Sequence, residues 1–208
     1  MTAVGPELLD TLESALRRNK SLEEILERFD EIDLPDNWLT AGSIAQTIWN
    51  LGCGQPAEFG LKDVDLIYFD EQDLSAAAEA GNERRLRDLF RDLPIKLDVK
   101  NEARVHIWYE SRFGYAIKPY LSSVDAIATF PTTATAVGVR RIRGHFECCA
   151  PFGLDDLFGL IVRPNKAQIT RAIYDAKVER WRPIWPQLTI LQWEVIATSA
   201  ASRRVSPA

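Results

Sequence analysis

Two aspartates stand two residues apart in Lys62-Asp63-Val64-Asp65-Leu66-Ile67-Tyr68-Phe69, a segment whose alternation is that of a strand. Residues i and i+2 of a strand share a face, so both carboxylates project into one place. Holding two like charges together is costly unless a cation sits between them. Hard oxygen donors of this kind suit Mg²⁺ or Mn²⁺ rather than Zn²⁺. Upstream, Thr40-Ala41-Gly42-Ser43 leads into an apolar helical run from Ile44 to Leu51. A helix opened by Gly42-Ser43 offers an anion free backbone N–H groups, a hydroxyl and the positive end of its dipole. An anion cradle beside a carboxylate pair is the equipment of phosphoryl or nucleotidyl transfer. Each feature also has a plainer use, since Ser43 can be a simple helix cap and the aspartates a solvated strand edge.

A third carboxylate follows in Ile95-Lys96-Leu97-Asp98-Val99. Its apolar residues share one face and should pack on the core, which turns Asp98 the other way. Asp98 then reaches the face of Asp63 and Asp65 if the two strands are neighbours. The helical pattern from Leu74 to Leu93 permits a parallel crossover, and an antiparallel pairing is equally open. Lys100 and Arg104, together with Lys118, are the candidate cations for a polyphosphate, and the run Arg140, Arg141 and Arg143 is a further basic cluster.

The elements that must position these residues read as a mixture of helices and short strands. Residues 6–29 are helical, with Ser21 and Glu24 fitting a capping box at a break in the pattern. Gly52, Gly54, Pro56 and Gly60 make a loop before the aspartate strand. Asn101 is a plausible cap for a helix that carries Val105 and Trp108. Val124 to Ala128 is helical, Val137–Val139 and Phe146–Cys149 are short strands, and Ala167 to Trp181 is an amphipathic helix closed by Pro183 and Pro186. The tryptophans Trp181, Trp185 and Trp193 are read as packing, and residues 202–208 as a frayed tail. The fold class is α+β: a small mixed sheet flanked by helices, residues 1–120 forming the core and 121–208 a C-terminal lobe with no clear linker.

In these residues the chain resembles the nucleotidyltransferase superfamily that includes polymerase beta. Gly42-Ser43 and Asp63-Val64-Asp65-Leu66 match that family's motif of Gly-Ser, a helix, then Asp-apolar-Asp on a strand. Leu97-Asp98-Val99 has the form of its third element. The stretches Asp98 to Trp108 and Ala150 to Phe158 are similar to a bacterial branch called nucleotidyltransferase-like, of unestablished substrate. The resemblance runs from about Trp38 to Pro186. It departs from the superfamily in the 19 residues between Ser43 and Asp63, a longer spacing than usual, and in lacking a large second domain for tRNA or DNA.

What the resemblance implies is a nucleoside monophosphate moved from a nucleoside triphosphate to an acceptor, which is a small molecule, a protein or an RNA. Asp63, Asp65 and Asp98 would hold Mg²⁺ or Mn²⁺, and Gly42 and Ser43 the β- and γ-phosphates. The rival is a non-catalytic nucleotide-binding or regulatory, antitoxin-like protein on the same fold; keeping three aspartates favours the enzyme.

Composition narrows the classes. The 208 residues, 46% hydrophobic and 26% charged, suit an ordinary globular chain that needs no staples. A net charge of −5 argues against a protein that coats nucleic acid. Cys53, Cys148 and Cys149 give no disulfide framework, and His145 with the last two lacks the spacing of a zinc site. With no signal-like N-terminus and no apolar run long enough to span a bilayer, a cytoplasmic protein is expected; the oligomeric state is left open.

Overall fold

The computed structural model describes residues 4–194, so the tail expected to fray over 202–208 lies outside the described residues. The N-terminal helical stretch is two helices, α1 (Pro6–Leu16) and α2 (Lys20–Glu27). The cap between them is Asn19, not Ser21. Asn19 accepts from the Leu22 N–H at 3.2 Å while its amide donates to Thr47 Oγ1 at 2.8 Å. The asparagine carboxamide accepts through Oδ1 and donates through Nδ2, so one side chain both caps α2 and reaches α3; Ser21 is buried, and its N–H donates to Glu58.

The chain then enters β1 (Trp38–Thr40), α3 (Gly42–Gly52), β2 (Asp63–Tyr68), α4 (Ala76–Leu89) and β3 (Lys96–Asn101). Helices α5 (Val105–Phe113) and α6 (Ser123–Ile127) follow, then the hairpin of β4 (Gly138–Ile142) and β5 (His145–Cys149). The chain ends its described part with α7 (Asp155–Phe158), β6 (Ile161–Val162), α8 (Arg171–Trp181) and β7 (Thr189–Ile190).

Five strands make one mixed sheet in the order β3-β2-β1-β4-β5, the α+β architecture expected. Within this sheet only β2 and β3 run parallel, joined by the α4 crossover, and the other pairs are antiparallel. The boundary expected near residue 120 falls between α5 and α6, and the β1–β4 pairing joins the strands on either side of it. One sheet face carries Leu39, Val64, Leu66, Val99 and Val139, packed with Leu12, Leu16 and Ile25 of the first two helices and Ile44 and Ile48 of α3. Burial of that apolar surface is the main stabilising term. No helix among the described residues is long and apolar enough to cross a membrane.

The long spacing between Ser43 and Asp63 is resolved by one buried side chain. Helix α3 ends at Gly52, and the loop beyond it is tied back by Asn50, whose Nδ2 donates to the carbonyls of Ala57 and Phe59 at 3.0 and 2.8 Å. Asn50 Oδ1 accepts from Trp185 Nε1 at 2.7 Å. Trp49, its neighbour, packs edge-on against Trp181 and Trp185 with centroids 5.2 and 5.5 Å away. The C-terminal helix is thereby fastened to α3. Asn50→Leu should cost about 3 kcal/mol, because it strands two carbonyls and an indole N–H in the interior. Chemical denaturation checks this, and a loss below 1 kcal/mol would mean that water replaces the amide.

Candidate functional site

The antiparallel register sets Thr40 opposite Asp65, so the chain leaving β1 for α3 passes beside the two aspartates. It turns at Ala41, whose backbone (φ 58°, ψ −116°) lies in a region that L residues avoid. Such strain costs about 1–3 kcal/mol and persists only where surroundings enforce it; here the Ala41 N–H is held by the Val137 carbonyl at 3.0 Å. Helix geometry leaves the N–H groups of Gly42, Ser43 and Ile44 without intrahelical acceptors, and no side chain caps them. A Cβ on Gly42 would stand 3.2 Å from Gln46 Nε2 and 3.8 Å from Asp65 Oδ2. Cradle and carboxylate are therefore adjacent.

Gly42, Asp63 and Asp65 line one cleft of about 470 Å³. Ser43 lies just inside it, buried, its hydroxyl donating to the Thr40 carbonyl at 3.3 Å. Asp98 pairs in register with Asp65 on the neighbouring parallel strand, where side chains of paired residues share a face. The carboxyl of Asp65 is pushed up to about 6, first by burial and then by the charges of Asp63 and Asp98; Lys177 and Lys100 oppose the rise. Just beyond β3, Glu102 is buried and its carboxyl is raised to about 8, again by burial first and then by Glu79 and Asp65.

The donor set fits a hard divalent cation in chemistry, because the two carboxylates that line the cleft offer oxygen donors and its lining holds no thiol or imidazole. The fit is best for the pair Asp63 and Asp65. Among the described residues no three His, Cys, Asp or Glu side chains are grouped to share an ion. Asp98 is held instead by Lys100, whose Nζ lies 2.6 Å from its Oδ1. For Asp98 to join the pair, its carboxylate must leave that ammonium.

Arg104, expected at the phosphates, is turned into the protein. Its guanidinium meets Glu79 Oε1 at 2.6 Å and the Leu74 carbonyl at 3.1 Å, while Glu79 also accepts from the Asn101 N–H. The reason is local: the short helical turn after β3 carries residue 104 away from the strand face of Asp98 and against the start of α4. Arg104→Gln should destabilise the fold by about 2–3 kcal/mol, the cost of leaving the partly buried Glu79 carboxylate without its counter-ion, and leave polyphosphate affinity of the folded fraction unchanged. Denaturant titration with a parallel binding isotherm tests both halves. The basic run is also engaged elsewhere, Arg140 with Glu147 and Arg141 with Glu13.

The cations that do line the cleft are Lys62, Arg112, Lys177 and Arg180. None was a candidate in the sequence. Lys62 adjoins the aspartate motif, so the same local strand that carries Asp63 places it. The other three come from α5 and α8, which only the tertiary packing brings here.

A sheet that delivers carboxylates and a bare helix N-terminus to one cleft defines the class of proteins that move nucleotidyl groups. A solved chain, whose NMR structure was described as revealing a CCA-adding enzyme head domain, superposes on this one with a TM-score of 0.72. The two are 27% identical over 92% of this chain and 98% of that one. A search of curated proteins finds no match. Within the class, the chain belongs to the nucleotidyltransferase family, whose model matches residues 27–190. Enzymes of this kind generally use divalent metals.

Proposed function

We propose that the protein transfers a nucleoside monophosphate from a nucleoside triphosphate to the hydroxyl of an acceptor, releasing pyrophosphate. The observation that carries this reading is the adjacency of the uncapped α3 N-terminus to the Asp63–Asp65 pair in one cleft. The N–H groups of Gly42 and Ser43 bind the β- and γ-phosphates, favoured by the helix dipole. Asp63 and Asp65 are the residues that would hold Mg²⁺ or Mn²⁺, with Asp98 completing the set. Such an ion supplies charge neutralisation where negative charge builds in the in-line transition state. Asp98 orients the acceptor hydroxyl and takes its proton as that oxygen bonds to the α-phosphorus and the bond from the α-phosphorus to the α–β bridging oxygen breaks, pyrophosphate leaving. The similarity to a CCA-adding enzyme head domain supports a nucleotide-adding reaction; the acceptor class is a small molecule, a protein or an RNA.

The test is incubation of the purified protein with labelled ATP, CTP, GTP and UTP, Mg²⁺ and cell extract. Label joined to an acceptor with release of pyrophosphate is expected. Metal-dependent binding of a triphosphate without any transfer would overturn the catalytic reading in favour of a nucleotide-binding protein.

A further inference from the structure

Four cationic side chains, Lys62, Arg112, Lys177 and Arg180, line the cleft against two anionic ones, Asp63 and Asp65. On a chain of net charge −5 this is a local reversal of sign. Lys177 and Arg180 stand three apart on α8, so they project from neighbouring positions on one helix face. Another basic residue of that helix, Arg171, is tied to Asp175 and Glu194 at 3.2 and 3.4 Å. Among the described residues Lys177 and Arg180 have no such ion pair, although Lys177 is half-buried and feels the charges of Asp65 and Asp63. Burial and Arg180 beside it both act against its charge. Two like charges kept together over a cleft, without a protein counter-ion within bonding distance, are a receptor for an anion that comes from outside.

We propose that Lys177 and Arg180 of α8 clamp the β- and γ-phosphates of the nucleoside triphosphate from the side opposite the α3 N-terminus. This inference rests on the proposed nucleotidyl transfer and names the residues that recognise the polyphosphate end of its donor. The clamp is held in place by Trp181 and Trp185, which pack on Trp49 of α3, and by the Trp185–Asn50 hydrogen bond. The same helix that carries the cradle thus carries the dock for its counterpart. A compact ammonium and a planar guanidinium offer complementary contacts, a point charge and a two-pronged donor. The clamp discriminates by phosphate count: it adds affinity for tripolyphosphate and pyrophosphate but little for a nucleoside monophosphate.

The experiment is calorimetric titration of the full chain with Mg²⁺-tripolyphosphate, a probe that needs no base, and with AMP, CMP, GMP and UMP as short controls. Lys177→Gln and Arg180→Gln should each weaken tripolyphosphate binding about tenfold, and the double variant about a hundredfold. The salt dependence of binding should flatten in step as charges are removed. Arg171→Gln, on the same helix but ion-paired elsewhere, should bind as the parent does. Melting of each variant near the parent's temperature shows that the loss is one of contact, since removing either cation relieves the repulsion between them while Lys177→Gln also gives up the attraction to Asp65 and Asp63. If the parent binds Mg²⁺-tripolyphosphate and the double variant binds it equally well, the clamp is refuted and the transferase reading stands. If the parent binds neither tripolyphosphate nor any of the four triphosphates, both fall together.

Discussion

Asp65→Asn should abolish transfer while making the protein more stable at neutral pH. The two effects have one cause. Burial and the charges of Asp63 and Asp98 raise the Asp65 carboxyl to about 6, above the ordinary 3.8 of an unfolded chain. Below pH 4 the group is protonated in both states and contributes nothing. Between pH 4 and 6 the unfolded chain gives up the proton first, so the native state loses stability as pH rises. Above pH 6 the penalty is complete, about 1–2 kcal/mol once solvent around this half-buried group is allowed for. Asparagine carries no charge and escapes it. The variant should therefore melt higher than the parent at pH 7.5, with the gap closing toward pH 4. Mg²⁺ with a triphosphate should stabilise the parent more than Asp65→Asn, which keeps the α3 N–H groups but loses one carboxylate of the pair, and transfer should fall about 10³-fold or more, the scale of a lost metal-held charge. Equal melting curves across this pH range would show that Asp65 is not under electrostatic strain. Undiminished metal-dependent binding in Asp63→Asn with Asp65→Asn would place the ion elsewhere.

Gly42→Val should cut binding of Mg²⁺-tripolyphosphate about a hundredfold with little change in stability. The new Cβ would stand 3.2 Å from the Gln46 amide, which can swing aside, and 3.8 Å from the Asp65 carboxylate. Its two methyl groups would then fill the space between the free N–H groups of α3 and the carboxylate pair. A phosphate must come within about 3 Å of those N–H groups to bond them. Gly42→Ala, with one carbon, should lose only about tenfold. The first turn of a helix tolerates either residue, so folding should change by less than about 1 kcal/mol. Binding by Gly42→Val equal to the parent's would mean that the phosphates approach α3 from another side.

The strand of Asp63 and Asp65 and the helix after Gly42-Ser43 were legible because strand and helix periods are local. Alternation alone turned both carboxylates to one face, and the same alternation turned Asp98 away from Leu97 and Val99. The short strands at Val137–Val139 and Phe146–Cys149 were readable for the same reason, but not their pairing as a hairpin; Asn101 caps the short turn Glu102–Arg104 rather than the helix of Val105 and Trp108 itself. Whether β2 and β3 run parallel was not, since a crossover helix of that length permits either sense. Only the pairing register sets Asp98 beside Asp65. The capping box at Ser21 and Glu24 was a correct local grammar with a better competitor nearby: Asn19 can cap the helix and reach Thr47 at once, a contact 28 residues away. Arg104 was not placeable from sequence, because charge and proximity to Asp98 say nothing of the turn that follows β3, where the partly buried Glu79 of α4 pairs with it. The cations of the cleft lay furthest from view. Lys177 and Arg180 sit in an amphipathic helix like many others, and what brings them over the aspartates is the docking of α8 on α3 through Trp185 and Asn50, 135 residues apart. Local spacing is enough to point a side chain to one face of its own element. Which elements meet across a cleft is determined by apolar burial and buried hydrogen bonds between distant segments, and those are properties of the folded whole.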